Sequence, residues 1–556
     1  MLFMNTRIIS IFLISTFLVQ NFAFAKKKED RKLAKQIRTD ITYLASDDLE
    51  GRRTSTDGER KAADYIEKRY KEMGIIPYNG KYRYPFQFVY GKEIAKSTQI
   101  RINNVDVKVS DEAFPMPFSA TKNVKGTSLK DVMEQGNIWL VALYTDEEQA
   151  KNPHFEWEKL MSEKAKDAES KGASGVLFYD SYGSKYSPVF NTTSDYDQIG
   201  IPVVFVKHET YDKLIKNTID KGAIAINLNI EINKAERNGT NLAAYIDNKA
   251  KYTVVLGAHY DHLGYGQDGN SLYANAKKEH KIHHGADDNA SGTAALLSEA
   301  NRIKKNKKLH NYNYLFVNFS GEELGLYGSK AFVKDQKLDS IKIAYMINMD
   351  MIGRLNDSTH SLTLGGVGTS PAWPQVVDMA GPDFKLTIDS TGVGPSDHTS
   401  FNNAGIPVLF FFTGSHKDYH KPSDQADLIN YPGEVKVLNY VNNVVVKMDD
   451  QNSKPKYLVT KAPSMGKSSF KVTLGIMPDY TFQDGGVRID GVSDGRPASK
   501  AGLLTGDVII QLGDYKIQGI HAYMDALGKF SSGDKTNVTI TRGGKEMVLP
   551  IELAEK

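Results

Sequence analysis

The sequence predicts an α/β fold with a mostly parallel central sheet flanked by helices, and two observations support this prediction. First, five apolar runs recur between residues 241 and 412: NLAAYID, YTVVLGAH, YNYLFVNF, YMINMDM and IPVLFFF. Such continuous runs are typical of strands that are buried on both faces, as in a parallel sheet covered by helices. Second, a chain of 556 residues is too long for a single core, so further domains are expected around this sheet.

The composition argues against several classes of protein. The chain is 40% hydrophobic and 25% charged, with a formal net charge of +3. A balance so close to neutral argues against nucleic acid as the main partner. There is no cysteine in the sequence, which excludes disulfides, a thiolate nucleophile and a thiolate metal site.

The N-terminus has the pattern of a secretory signal. Arg7 precedes the apolar run IISIFLISTFLV, and Ala23-Phe24-Ala25 provides a cleavage site before the charged KKKED. The apolar core is short for a membrane span. We therefore expect residues 1–25 to be removed and the mature protein to be secreted or periplasmic, without a membrane span. An uncleaved anchor is the alternative.

The order of the elements predicts five regions after the signal. Residues 31–75 are expected to be helical and to stop at Gly74. The apolar positions on one face of this helix are Ala62, Ala63, Ile66, Tyr70 and Met73. The regions are the first part of the main domain at 26–107, an inserted α/β domain at 108–235, the second part of the main domain with the metal site at 236–450, a polar lysine-rich linker at 451–467, and a unit of short strands and glycine turns at 468–556.

Acidic and imidazole side chains follow the ends of the central strands, where open α/β sheets place their sites. These residues are His259, Asp261, the run HGADDNASG at 284–292, Glu322, Glu323, Asp350 and His420. Taken singly, each has a structural explanation, such as a helix cap or a hydrogen-bonded histidine. Taken together, acids that converge on one edge of a sheet would repel each other strongly without a cation.

The ligand chemistry of this edge favours zinc or a similar divalent ion. Oxygen and imidazole donors without sulfur suit such ions. There are more acids than one tetrahedral ion needs, which indicates two ions that share a bridging carboxylate. In the adjacent pair Glu322-Glu323, one glutamate can then bind metal while the other handles protons.

Five ordered motifs resemble the M28 family of zinc aminopeptidases: GAHYDHLG, GADDNASG, FSGEELGLYGS, INMDMIGR and YHKPSD. The N-terminal stretch LASDDLEGRRTSTDGERKAADYI is similar to the opening of that family's catalytic domain. The resemblance covers about 300 residues in two blocks and implies the zinc exopeptidase fold for the main domain.

The resemblance implies roles for the site residues. Asp287 would bridge two zinc ions, and Glu322 would be the general base. Asp261 would orient the imidazole of His259, as the partner of a ligating histidine usually does. The implied zinc ligands are His259, Asp287, Glu323, Asp350 and His420.

Two further motif elements are implied to lie beside this site. Asp288 would be held in a strained peptide geometry next to the bridge. Ser396-Asp397-His398 matches the family's SDH element and would support the ligands from behind. The implied activity is removal of N-terminal residues from peptides with a free N-terminus. Alternatives are carboxypeptidase or glutaminyl cyclase-like activity on the same fold, or a non-catalytic receptor. The complete set of ligands argues against the receptor.

The two remaining regions resemble known accessory domains. Residues 108–235 resemble a protease-associated insert, whose role would be that of a lid or of a stabilising insertion. The C-terminal unit resembles a PDZ domain through GRPASKAGLLTGDVIIQLGD, with Leu474-Gly475-Ile476 as its carboxylate-binding loop. Such a loop binds peptide C-termini while the peptide adds as a strand. The alternative is a domain retained for packing alone.

Overall fold

The computed structural model describes residues 27–152, 155–194, 196–273, 275–334, 342–380, 383–460, 472–478 and 485–555. The expected signal peptide at residues 1–25 lies outside the described residues. No helix in the described part of the chain is long and apolar enough to cross a membrane. The chain divides into two compact units, one of residues 87–237 and one of residues 1–86 with 238–556.

The helix predicted over residues 31–75 is two helices, α1 at 27–44 and α2 (Asp57–Glu72). The prediction is wrong between them: α1 ends at residue 44, and the segment before α2 turns at Gly51, whose φ is +70°. A Cβ at Gly51 would lie 2.5 Å from the carbonyl oxygen of His283, so only glycine fits this close approach. Two strands follow, β1 (Ile76–Pro77) and β2 (Arg83–Ile94).

The unit of residues 87–237 contains two four-stranded sheets. Its strands are β3 (Gln99–Ile102), β4 (Val105–Val107), β5 (Ala113–Pro115), β6 (Lys122–Ser128), β7 (Ile138–Ala142), β8 (Gly175–Tyr179), β9 (Val203–Val206) and β10 (Ile224–Ile230). Its helices are α3 (Glu147–Lys151), α4 (Trp157–Ser170), α5 (His208–Leu214) and α6 (Lys216–Ile219). One sheet has the order β4-β3-β10-β6, and the other has β5-β9-β8-β7 with β7, β8 and β9 parallel. The two sheets share one apolar core, and α4 covers the other face of the second sheet.

The main sheet has nine strands, and its parallel centre confirms the predicted class. Its further strands are β11 (Ile232–Ile246), β12 (Thr253–His259), β13 (Asn313–Phe319), β14 (Ile343–Met349), β15 (Ser361–Gly365), β16 (Lys385–Ile388) and β17 (Val408–Phe412). The order is β1-β11-β13-β12-β14-β17-β15-β16, with β2 paired to β11. Strands β13, β12, β14 and β17 run parallel, whereas β11 and β15 join this centre antiparallel.

Helices cover this sheet, and the central strands are buried throughout. The helices are α7 (Ala276–Glu279), α8 (Gly292–Lys305), α9 (Tyr327–Lys334), α10 (Trp373–Ala380), α11 (His398–Asn403) and α12 (Tyr431–Gln451). Every residue of β12, β13 and β14 is buried, which explains why their sequences are apolar runs without alternation. The carboxyl ends of these parallel strands meet at one edge of the sheet.

The C-terminal region forms its own apolar core around short strands. The strands are β18 (Val472–Thr473), β19 (Ile476–Pro478), β20 (Val487–Val492), β21 (Val508–Leu512), β22 (Tyr515–Lys516), β23 (Lys535–Arg542), β24 (Lys545–Glu552) and β25 (Ala554–Glu555), and the helices are α13 (Pro497–Ala501) and α14 (Ile520–Leu527). The segment that leads to this region packs on the main domain. The hydroxyl of Tyr457 donates to the carbonyl of Asn402, and Leu458 donates its backbone N–H to Thr369.

Candidate functional site

Two histidines and one aspartate define the centre of the site. The Nε2 atom of His259, the last residue of β12, lies 3.3 Å from Oδ1 of Asp288 and 3.3 Å from Oδ1 of Asp350. The Nε2 atom of His420 lies 3.2 Å from Oδ2 of Asp288 and 3.2 Å from Oε2 of Glu323. Asp288 therefore faces one histidine with each of its two carboxylate oxygens.

These separations fit ligands of bound ions. Two ligands that bind one tetrahedral zinc ion at the usual distance of about 2.0–2.1 Å lie about 3.3 Å from each other. The four histidine–carboxylate separations are 3.2–3.3 Å. His259, Asp288, Asp350 and His420 are buried, and the side chain of Glu323 is 5% exposed. Such a cluster of acids is costly to desolvate unless cations lie between them. The donors thus fit two zinc-like ions, one on each side of the Asp288 carboxylate.

The expectation that Asp287 bridges the ions is corrected by this geometry. The Asp287 carboxylate accepts the backbone N–H of Gly353 at 2.7 Å and lies 3.1 Å from Nε2 of His416. The cause is the turn at the start of α8, where Asp424 accepts the backbone N–H groups of both Asp287 and Asp288. In the turn held by these bonds, the two neighbouring side chains have different contacts, and Asp288 contacts the histidines. The peptide bond after Asp288 is cis.

The other expected ligands lie together at this edge of the sheet. His259 and Asp350 form one group and Glu323 and His420 the other, and their role as zinc ligands remains a prediction. Glu322 lies within reach of the first group. Burial raises the pKa of Glu322 well above its ordinary value, with His259 opposing and the nearby acids Asp350 and Glu323 adding to the rise.

Asp261 lies behind both His259 and Glu322. Its Oδ1 accepts the backbone N–H of Glu322 at 3.3 Å and lies 3.6 Å from Nδ1 of His259. The backbone carbonyl of Asp261 is closer to this Nδ1, at 3.2 Å. Thr54 donates its hydroxyl to the other carboxylate oxygen at 2.9 Å. Asp261 thus lies next to the imidazole through its backbone carbonyl and its carboxylate, and it accepts the backbone N–H of the proposed base; its role in orienting His259 stays a prediction.

The N-terminal motif LEGRRTSTDGER connects the segments that carry the site. The fully buried guanidinium of Arg52 donates to the carbonyl oxygens of Tyr260 at 2.8 Å, His284 at 2.7 Å and Gly285 at 2.9 Å. It therefore joins the chain after β12 to the turn that carries Asp288. Burial lowers the pKa of Arg52 to about 10, with the Asp288 carboxylate as the largest opposing influence.

The Ser396-Asp397-His398 element contacts the site from behind. Ser396 donates its hydroxyl to Oδ2 of Asp350 at 2.7 Å and accepts from the side chain of Asn348. Burial raises the pKa of Asp397 to about 7 and lowers that of His398 to about 3, so burial shifts both groups towards their neutral forms.

Two site residues were missed by the sequence reasoning, although both lie inside quoted motifs. His262, in GAHYDHLG, places Nδ1 at 2.7 Å from Oε1 of Glu323. This distance is too short for two ligands of one ion and fits a hydrogen bond that orients the glutamate. Tyr419, in YHKPSD, stacks on His420 with ring centroids 3.9 Å apart. Burial raises the pKa of its hydroxyl well above the ordinary value, and four site carboxylates add to this rise: Asp288, Glu323, Glu322 and Asp350.

Comparisons with known proteins find three family models that match parts of the chain. Residues 241–445 match the model of peptidase family M28, residues 109–214 that of the PA domain and residues 465–553 that of the PDZ domain. Aminopeptidase YwaD of Bacillus subtilis (strain 168) is 27% identical over 325 residues, which are 56% of this chain and 64% of that protein. Leupeptin-inactivating enzyme 1 of Streptomyces exfoliatus is 35% identical over 145 residues, 26% of this chain and 32% of that protein.

Among solved structures, an aminopeptidase from Aneurinibacillus sp. strain AM-1 is 21% identical and covers 77% of this chain and 96% of its own, with a TM-score of 0.43. The chain spans less than two thirds of the length of the two curated relatives described above. The three matched regions, in their order along the chain, confirm the resemblance found in the motifs. Three separate stretches of the chain therefore match the models of peptidase family M28, the PA domain and the PDZ domain.

Proposed function

We propose that this protein is an exported aminopeptidase that uses two zinc ions, bridged by Asp288, to release N-terminal residues from peptides. The observation that carries the proposal is the position of the Asp288 carboxylate between His259 and His420, with Glu322 close to His259 and Asp350. The ligands would be His259, Asp350 and Asp288 for one ion, and Glu323, His420 and Asp288 for the other. Export rests on the N-terminal sequence alone.

When bound, the two ions would polarise the scissile carbonyl and lower the pKa of a bound water. Glu322 would take a proton from this water and deliver it to the leaving amine. Its raised pKa suits this step, because a carboxylate that binds a proton more strongly than an ordinary glutamate is a better general base. Asp261 would keep Glu322 in place through its backbone N–H.

Tyr419 would donate a hydrogen bond to the substrate carbonyl oxygen as that oxygen gains negative charge. Its hydroxyl lies near four carboxylates, which disfavour the phenolate and keep the group in its donor form. The stacking on His420 fixes the ring next to a proposed ligand. We further propose that the PDZ domain binds peptide C-termini at Leu474-Gly475-Ile476.

The direct test compares peptides that differ only in the N-terminus. Purified protein is incubated with a short peptide and with its N-acetylated form, and released amino acids are identified over time. We expect stepwise release from the free N-terminus only, loss of activity with a strong chelator, and recovery with zinc. Equal cleavage of the blocked peptide, trimming from the C-terminus, or cyclisation of N-terminal glutamine without hydrolysis would contradict the proposal.

A further inference from the structure

The segment Asn270–Leu272 holds the proposed metal ligand His420 at both its ring and its backbone. Nδ1 of the imidazole lies 2.8 Å from the carbonyl oxygen of Asn270, so Nε2 is the atom that faces Asp288 and Glu323. Leu272 donates its backbone N–H to the carbonyl oxygen of His420 at 3.0 Å. The side chain of Asn270 also donates to the carbonyl oxygen of Glu323 at 3.2 Å. One short segment therefore positions two of the proposed ligands of the same ion.

The other side of this segment contacts the PDZ domain. The carbonyl oxygen of Leu272 accepts the backbone N–H of Asp494 at 3.1 Å. The Asp494 carboxylate lies 3.1 Å from Nζ of Lys421, the residue that follows His420. Leu272 itself is buried. The PDZ domain thus contacts two neighbours of the proposed ligand His420. One is Leu272, which is hydrogen-bonded to the His420 backbone, and the other is Lys421, the next residue in the sequence.

The PDZ turn that makes these contacts belongs to the same unit as the expected carboxylate-binding loop. Ser493 donates its N–H to the carbonyl of Gly475 at 2.9 Å, and Ala498 donates to Leu474 at 2.8 Å. Gly475 has a φ of +73°, and a Cβ there would lie 2.3 Å from Cβ of Arg496. The turn and the loop therefore pack directly against each other. A displacement of the turn would move Asp494 and, through its hydrogen bond, Leu272.

We propose that the PDZ domain is a support for the metal centre, in which Asp494 positions Leu272 and Lys421 and thereby orients His420. The inference rests on the proposed function, since it takes His420 as a zinc ligand. Only the ion that His420 would hold should depend on Asp494. His259 is oriented from within the peptidase domain, by the carbonyl of Asp261 at 3.2 Å, so the ion that it would hold should not depend on Asp494. Because such coupling is reciprocal, removing zinc should also weaken the contact of the PDZ domain.

The first experiment uses charge reversal in the full-length protein. Asp494→Lys and Lys421→Asp each place like charges at the contact, and the double variant restores a pair of opposite charges. Asp525→Lys reverses an exposed aspartate of α14 and is the matched control. Zinc is titrated against a competing chelator. We expect each single variant to weaken the binding of one of the two ions by about threefold to tenfold, and the double variant to recover it.

The second experiment measures amide hydrogen exchange in the wild-type protein with zinc and after chelation. We expect faster exchange in peptides that contain Leu272 or Asp494 once zinc is removed, with β23 and β24 unchanged. This measurement stays decisive if a single variant fails to fold. Two tightly bound ions in every variant, no rescue by the double variant, or zinc-independent exchange would overturn the inference and leave the proposed function standing. A wild-type protein that binds no zinc would instead overturn the proposed function.

Discussion

Asp287-Asp288 and Glu322-Glu323 are both pairs of adjacent acids at the edge of the main sheet. They differ in how many of their side chains lie at the site. In the aspartate pair, Asp288 contacts both histidines of the site and Asp287 turns away to Gly353 and His416. Both glutamates stay at the site. There the two members of the pair differ in their electrostatic surroundings.

The glutamates show how surroundings separate two identical side chains. Burial and Asp288 raise the pKa of Glu323, but His420 and His262 outweigh them and lower it to about 2. Burial raises the pKa of Glu322 well above its ordinary value, and His259 is the largest opposing influence. Glu323 is therefore suited to be a permanently charged ligand, whereas Glu322 is suited to exchange a proton.

The largest effect is expected at the aspartate pair. Asp288→Asn replaces a charged carboxylate, which faces both histidines, with a neutral amide that has a single ligating oxygen. Zinc binding at both positions should therefore weaken, and turnover should fall by at least about 10⁴-fold. Asp287→Asn makes the same chemical change one residue earlier. It should keep both zinc ions, because its contacts are with Gly353 and His416. Metal analysis and steady-state kinetics on both variants check this, and the reverse pattern would restore Asp287 as the bridge.

The glutamate pair should separate metal binding from proton transfer. Glu322→Gln cannot accept a proton and should retain zinc while turnover falls by about 10²–10⁴-fold. Glu323→Gln removes a charged ligand, so its main defect should be weaker binding of one ion, with activity partly recovered at high zinc. The measurements are zinc content after dialysis and kcat across a zinc titration. If Glu322→Gln loses metal and Glu323→Gln loses only rate, the roles are interchanged.

A smaller loss of turnover is expected for Tyr419→Phe, which removes a neutral hydrogen-bond donor beside the two acidic pairs. The stacked ring remains, so zinc content and KM should change little, while kcat should fall by about 10²-fold. Kinetics on a short chromogenic peptide check this. An unchanged kcat would show that the Tyr419 hydroxyl has no part in stabilising the transition state.

Much of this arrangement could be predicted from the sequence because it follows from strand order. The buried strands end at one edge, so His259, Glu323 and Asp350 had to lie near each other. The choice between Asp287 and Asp288 depends on a turn held by Asp424, more than a hundred residues away, and no local pattern encodes it. The position of Arg52 was hidden for a similar reason, because an apparently continuous helical pattern contains the break at Gly51.

Glu299 in α8 shows how an acid behaves when it is buried without neighbouring imidazoles. Its replacement is expected to have the smallest effect of the substitutions considered. Burial raises its pKa to about 7, against the opposing charge of Arg302, whose guanidinium lies 3.5 Å from Oε2. Neither carboxylate oxygen accepts a hydrogen bond in the described part of the chain. The pKa of Glu299 is higher in the folded than in the unfolded state. Its contribution to the stability of the fold is therefore greatest below about pH 4.5 and is lost as the pH rises through about 7.

Glu299→Gln should therefore raise the free energy of unfolding at pH 8 by about 1–3 kcal/mol, with less change at pH 5. Urea unfolding at the two pH values measures this. Zinc content and activity should remain those of the wild type. A variant that is less stable at pH 8 would show that the carboxylate has a stabilising partner.

The position of the bridge can be measured directly by anomalous diffraction at the zinc edge on crystals of the zinc-loaded wild-type protein. We expect two peaks about 3.5–4 Å apart, on either side of the Asp288 carboxylate, one next to His259 and one next to His420. A single peak, or two peaks that flank Asp287, would contradict the central claim that Asp288 joins two zinc ions in this site.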